Sequence, residues 1–214
     1  MKLEDVITEV RRITQDENTP YRYSDEVLLG YANQSLKRIA VLRPDLFAIE
    51  ALIPCLTDSV IQSAPSDSFR LIEIYSVLGG DGVLETTREV LDQAMPTWMN
   101  DTAAPATNWM RHVRNPNKFF IYPKAPAGQI LKGEYTQTPP NYTSTFTVGL
   151  LSDVYFPVVV DATVFIVESI DNEHVNSNRA KLFQDSFVQA LGVSVSSKTV
   201  TDDERPAQNS GGNS

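Results

Sequence analysis

The chain has 214 residues, 42% of them hydrophobic and 21% charged, enough apolar material for a real core and too much for wholesale disorder. Asp and Glu number 27 against 18 Lys and Arg, and the formal net charge of −9 excludes a protein that holds nucleic acid by neutralising phosphates. The single cysteine, Cys55, excludes an intrachain disulfide framework and a multi-cysteine zinc site; it lies in the apolar run Leu52-Ile53-Pro54-Cys55-Leu56, which predicts a buried, unreactive thiol.

The N-terminal third reads as helical. Leu3, Val6, Ile7, Val10 and Ile13 recur at helical spacing, and the turn formers from Asp16 to Pro20 end that helix. Ser24 is a good N-cap for a second helix, with Asp25 and Glu26 in its first turn, where the helix dipole favours acid. Val27, Leu28, Tyr31, Leu36, Ile39, Ala40 and Leu42 supply its apolar stripe, and Pro44 stops it.

From about Phe47 to Phe146 the pattern changes. Prolines at 54, 65, 96, 105, 116, 123, 126, 139 and 140 break any long helix, and short apolar runs lie between them. Ala51 to Leu56, Phe69 to Leu78, Lys118 to Tyr122 and Gln129 to Tyr135 read as strands. The second of these ends in the turn Gly79-Gly80-Asp81-Gly82, and the last two read as a hairpin. Arg88 to Ala94 reads as a short helix before Pro96.

Helix then returns. Val158 to Val167 is rich in β-branched residues and would pass for a strand, but the apolar run continues to Ile170 without a turn former, and Pro157 suits a first helical position. A helix apolar on nearly all sides must be covered by more than one neighbour. A final helix runs from about Ser177 to Leu191, with Ala180, Leu182, Phe183, Phe187, Val188 and Leu191 inward and Gly192 as C-cap. Residues 193–214 have little to bury and read as disordered in an isolated subunit. Acids near the N-terminus, where an export signal needs an apolar core, and the lack of a run of roughly 18 apolar residues point to a chain folded in a reducing cytoplasm.

The catalytic inventory is thin. There are two histidines, no Gly-x-Ser-x-Gly elbow and no phosphate-cradling glycine loop. Three-residue spacing puts Glu168, Asp171 and His174 loosely on one helical face, with Glu173 beside them, where a small metal-dependent hydrolase could hold a divalent ion; a solvated helix end explains the same residues. His112 sits in a Pro- and Asn-rich loop with no evident partner and reads as a surface or interface residue. Trp98, Trp109, Tyr122, Tyr135 and Tyr142 could form stacking platforms for a sugar, although packing and subunit contact account for them too.

The order of these motifs resembles the head-to-tail adaptor proteins of tailed bacteriophages, relatives of the tail tubular A and gateway proteins. The resemblance lies in the second helix, Tyr23-Ser24-Asp25 through Arg38-Ile39, with an Asn in its middle and Arg43-Pro44-Asp45 after it. It continues in Phe120 to Gly128 with Tyr135 and Pro139-Pro140 beyond, and in Asp171-Asn172-Glu173, Arg179-Ala180, Phe187 and Leu191-Gly192. These are packing and capping residues, and their order over about 170 residues carries the likeness. It implies an α+β fold in which N- and C-terminal helices (residues 1–46 and 150–192) form a helical domain around an inserted small antiparallel β-sandwich or barrel (47–149). It implies no catalysis, no cofactor and no metal, and a ring, usually of twelve copies, between portal protein and tail or nozzle protein in the virion neck, with DNA passing through without specific binding. An acidic ring wall repels phosphate, which fits a conduit.

Segment 193–214 is then expected to be an extended docking tail. The segments Val193-Ser194-Val195 and Thr199-Val200-Thr201 alternate as a strand added to a neighbouring sheet edge would, with Arg205 beyond them. The rival reading is a tail-fibre or baseplate β-domain that binds a host glycan, which needs a concave pocket of aromatic rings and carboxylates.

Overall fold

The computed structural model describes residues 1–143, 147–149, 151–170 and 177–192. Helix α1 (Leu3–Thr14) buries Leu3, Val6, Ile7 and Val10. It ends at Gln15 in the left-handed conformation (φ 57°), and the Asp16 N–H closes the turn onto the Arg11 carbonyl at 2.9 Å. Helix α2 (Asp25–Leu42) starts as expected, with the Ser24 hydroxyl accepting from the Val27 N–H at 3.4 Å. A cap of this kind is worth about 1 kcal/mol.

Helices α4 (Phe156–Glu168) and α5 (Ser177–Ala190) join α1 and α2 around one hydrophobic core. The β-branched run is therefore a helix. Val158, Val159, Val160, Ala162, Thr163, Val164, Ile166 and Val167 are all buried, because α1, α2 and α5 each cover part of α4. Close approach of α4 to α2 is allowed by small residues: the Thr163 hydroxyl, whose one proton is shared between the Val159 carbonyl at 2.7 Å and Ser35 Oγ at 3.1 Å, meets Ser35 across the contact. Two residues expected inward face solvent. Val27 precedes the buried stripe of Leu28, Ala32, Leu36 and Ile39 by one residue, about 100° round the helix. Leu182, 70% exposed, lies about 200° round from Ala180, while Ala180, Phe187 and Leu191 hold the core.

Between these helices the described residues build seven strands: β1 (Ala48–Pro54), β2 (Ile61–Ser63), β3 (Ser68–Val77), β4 (Leu84–Glu85), β5 (Asn108–Arg111), β6 (Lys118–Tyr122) and β7 (Ile130–Gln137). They form two open sheets, β1-β7-β3 and β2-β6-β5-β4, with no closed barrel; pairing is antiparallel except between β4 and β5. A shared core of Ile53, Leu71, Ile74, Leu131 and Tyr135 from one sheet and Trp109, Phe119 and Ile121 from the other lies between them. The Arg111 guanidinium reaches across to donate to the carbonyls of Leu71 (3.3 Å) and Ile72 (2.7 Å) in β3.

The expected β6–β7 hairpin does not form. β6 pairs with β2 and β5, whereas β7 runs between β1 and β3 in the other sheet, so residues 123–129 cross from sheet to sheet. The burial pattern explains why. Phe119, Phe120 and Ile121 are consecutive and all buried, because the four-stranded sheet is covered on both faces. Its second face carries Met110 and Phe120 under Leu91 of α3 (Arg88–Ala94) and Trp98. Among the described residues the three-stranded sheet is covered on one face only. The glycine turn is as expected: Gly79 has φ +73°, Gly80 donates to the Val77 carbonyl, and Val77 donates to Asp81 at 3.0 Å.

Inside β7, Gly133 answers to a close approach. A Cβ there would stand 2.5 Å from the Glu73 carbonyl oxygen and 2.8 Å from Ile74 Cδ1. β3 is irregular at this level, with register shifts at Leu71/Glu73 and Ile74/Ser76, and Ile74 fills the space that a side chain would take.

Candidate interaction surfaces

Of the residues that suggested a metal site, only Glu168 lies among the described positions. Glu168 is paired with Arg179 (Nε to Oε1, 3.3 Å), while Asp171, Glu173 and His174 lie outside the described residues. Among the described residues no group of three His, Cys, Asp or Glu side chains could hold a metal ion. The tail residues Val193, Val195, Thr199, Val200, Thr201 and Arg205 also lie outside them. No described helix is long and apolar enough to cross a membrane.

The aromatic residues are structural. Trp98 and Trp109 have no exposed surface, and Tyr135 and Tyr142 are buried, so these rings offer no platform to a sugar. Trp98 Nε1 donates to Asp92 at 2.7 Å and so fixes α3 to the turn that follows it. Tyr122, half-buried, donates to Asp101 at 2.8 Å, and that bond raises its phenol pKa. His112 stacks on Phe120 (centroids 5.4 Å, planes 8° apart), and its Nδ1 accepts from the backbone N–H groups of Arg114 (3.3 Å) and Asn115 (3.1 Å). It shapes a loop. Cys55 is half-buried rather than fully enclosed; burial raises its thiol pKa, and the Gln129 amide at 3.6 Å opposes that rise.

Two surface regions of the β-layers stand out. The uncovered face of the three-stranded sheet carries a row of carboxylates. Glu50 pairs in register with Glu134, and Glu134 with Glu73, so three acids lie side by side across three strands. Tyr75 donates to Glu134 Oε2 at 2.8 Å; desolvation and then the acids Glu134, Glu73 and Glu50 push its phenol up to about 12. Leu52, 55% exposed, flanks the row on β1, and Lys132 follows it on β7. Like charges placed directly opposite each other weaken a sheet.

The second region lies beyond the other sheet. A groove of about 730 Å³ runs between the 85–89 segment at the start of α3 and the 111–114 loop, with Phe120 and His112 inside it. Arg88 stands 5.8 Å over the Phe120 ring and pairs with Asp92; Arg111 pairs with Glu85 at 2.8 Å. At the loop tip Val113 is 97% exposed, and Arg114 next to it and Lys118 at the start of β6 are exposed too.

Two side chains that the sequence showed only as pattern, Asn33 and Arg43, join segments far apart in the chain, and a third, Arg11, ties the first helix to the second. Asn33, buried in α2, donates to the Tyr142 carbonyl at 3.0 Å and accepts the Tyr142 N–H at 2.8 Å. Arg43 grips Asp45 through two nitrogens (2.8 and 2.6 Å) and donates to the Leu191 carbonyl at 2.5 Å; its hydrogen bonds hold the Asp45 carboxyl below the ordinary range. Arg11, almost wholly buried, ties α1 to the α2 entry through Asp16 (2.9 Å), Asp25 (2.6 Å) and the Tyr23 carbonyl (2.8 Å), with Tyr21 stacked 3.8 Å away. An Asn on the apolar face of α2 was the one sequence signal that a buried polar contact was coming.

No curated protein matches the chain. Residues 1–211, nearly its whole length, match the SU10 adaptor protein family. The described geometry of packed helices, two sheets and charged outer surfaces is consistent with an adaptor, and on this match the chain belongs to the SU10 adaptor protein family.

Proposed function

We propose that this adaptor is a non-enzymatic subunit of a phage neck, repeated in a ring, usually of twelve, between portal protein and tail or nozzle protein, and that DNA passes through the ring unbound. The match of almost the entire chain to a phage adaptor family carries this reading. A virion structural role needs no catalytic cluster, and Trp98, Trp109, Tyr135, Tyr142 and His112 are engaged in packing. The net charge of −9 suits a conduit, since a negative wall repels phosphate and lets a duplex slide.

On the same reading the helices of residues 1–46 and 150–192 form one domain and residues 47–149 an insertion with its own core. The separate hydrophobic clusters support this division. Segment 193–214 is the docking tail, with Val193, Val195, Thr199, Val200, Thr201 and Arg205 as its contacts; assembly takes place in the host cytoplasm. Many copies multiply a weak tether into firm retention.

The test is truncation after Gly192. The shortened chain should keep its circular dichroism and melt at nearly the same temperature, yet be lost from portal-containing heads in a gradient. Electron microscopy of full-chain particles should show a closed ring beneath the portal. Retention of the truncated chain in infective particles would remove the tail's role, and a subunit found anywhere but the neck would remove the reading itself.

A further inference from the structure

We propose that neighbouring copies meet through the β-layers, with the Val113–Arg114 tip and its flanking cations on one copy resting on the glutamate-bearing sheet face of the next. This rests on the ring reading and names the contact that would close it. The two regions lie on opposite outer sides of the β-layers. One is the uncovered face of β1-β7-β3; the other lies on the α3 side of β2-β6-β5-β4. A surface pair on opposite sides cannot be satisfied by a two-fold dimer. It joins head to tail, and closes into a ring when the rotation permits.

The chemistry of the two sides is complementary. The sheet face offers the carboxylates of Glu50, Glu134 and Glu73 with the apolar surface of Leu52. The tip offers the exposed isopropyl group of Val113 next to the cation Arg114, with the exposed Lys118 at the start of β6 just beyond the same loop. Each side alone has a cost: three acids in a row weaken their own sheet, and a valine almost wholly in water gains nothing. A partner that brings cations to the row and covers the valine removes both. The arrangement also answers the objection from net charge. Subunit-wide repulsion acts over distances that salt screens within about 8–10 Å, whereas contacting charges lie well inside that length.

The experiment uses the full chain with Cys55→Ser as background. Leu52→Cys and Val113→Cys are made separately, and disulfide formation is followed at high protein concentration and in assembled particles. A mixture of L52C and V113C chains should cross-link to a dimer, and a chain carrying both should give a ladder of oligomers, while neither single variant dimerises alone. Reversing one side (Glu50→Lys with Glu73→Lys) or the other (Arg114→Glu with Lys118→Glu) should reduce the cross-link at least tenfold, with circular dichroism unchanged. Reversing both sides in one chain should restore it. A dimer from L52C alone, or no cross-link in the mixture, overturns the proposal. A ring seen at the neck without the cross-link removes this contact and leaves the ring reading standing. A cross-linked open chain in solution, with no ring in particles, keeps the contact and removes the ring reading.

Discussion

Replacing Asn33 by Ala should destabilise the chain by about 2–4 kcal/mol. Asn33 Nδ2 bonds to the Tyr142 carbonyl and its Oδ1 takes the Tyr142 N–H, 109 residues along the chain, both in buried surroundings. The same Nδ2 also reaches the Leu29 carbonyl at 3.0 Å, one turn back in α2. Truncation removes two inter-segment bonds and leaves a backbone N–H and C=O with less than they need, each costing about 1–3 kcal/mol when fully orphaned; water entering the vacated space returns part of that. Urea unfolding followed by circular dichroism measures the loss as a lower midpoint at unchanged slope. Asn33→Asp separates the two bonds. Its carboxylate still accepts the N–H but faces the carbonyl with no donor, so at neutral pH the variant should be no more stable than Asn33→Ala. On acidification the proton supplies that donor, and its deficit relative to the parent chain should shrink. If Asn33→Ala costs less than about 0.5 kcal/mol, the contact is ornamental and the reasoning fails.

Gly133→Ala should cost roughly 1–3 kcal/mol, because the added methyl group meets the Glu73 carbonyl and Ile74, and Ile74→Val in the same chain should recover part of the loss, again by urea midpoint. Asp45, held low by Arg43, contributes stability that is present above its ordinary pKa and lost as pH falls through the depressed one; Asp45→Asn should flatten the acid limb of the stability–pH curve. Tyr75, pushed up to about 12, has the opposite sign, its contribution being complete below the ordinary phenol value near 10 and lost as pH rises toward 12. Glu134→Gln should bring the Tyr75 phenolate absorbance step to lower pH, and an unmoved step would separate the shift from the glutamate row.

The helices were legible because each carried its own signals. Ser24 before two acids, Gly192 after Leu191 and the apolar spacing of α1 are local chemistry, and all three appear where expected. The β-layers were only partly legible, because strand pairing is set by partners distant in sequence. Phe119-Phe120-Ile121 followed by a short proline loop and β7 reads as a hairpin from any local window. Only the second layer, Leu91 and Trp98 beneath Met110 and Phe120, shows that β6 belongs to a sheet covered twice. The shortest strands, β2 and β4, carry too few residues for a period to show. The glutamate row was invisible for the same reason: Glu50, Glu73 and Glu134 are distant in sequence, and only register brings them together.

The residues behind the family likeness acquire a physical meaning from their contacts. Three contacts at or beside these residues bridge segments that the β-strands separate in sequence: Asn33 holds Tyr142, Arg43 holds the Leu191 carbonyl, and the Thr136 hydroxyl donates to the Pro44 carbonyl at 3.1 Å. All three act where the helices meet the start of β1 and the end of β7, the two points at which the chain leaves and re-enters the helical core. A turn of 3-10 helix (Pro44–Phe47) sits at that junction with Phe47 wholly buried in the helical core, and the Arg43–Asp45 fork fixes its direction. A loose tether needs no such bonds. Backbone and guanidinium contacts on both strands of the crossing resist rotation of the β-layers about the helices. The proposed contact between β-layers needs that stiffness, since any slack at the junction would spread the contact surfaces over many orientations and weaken the interface.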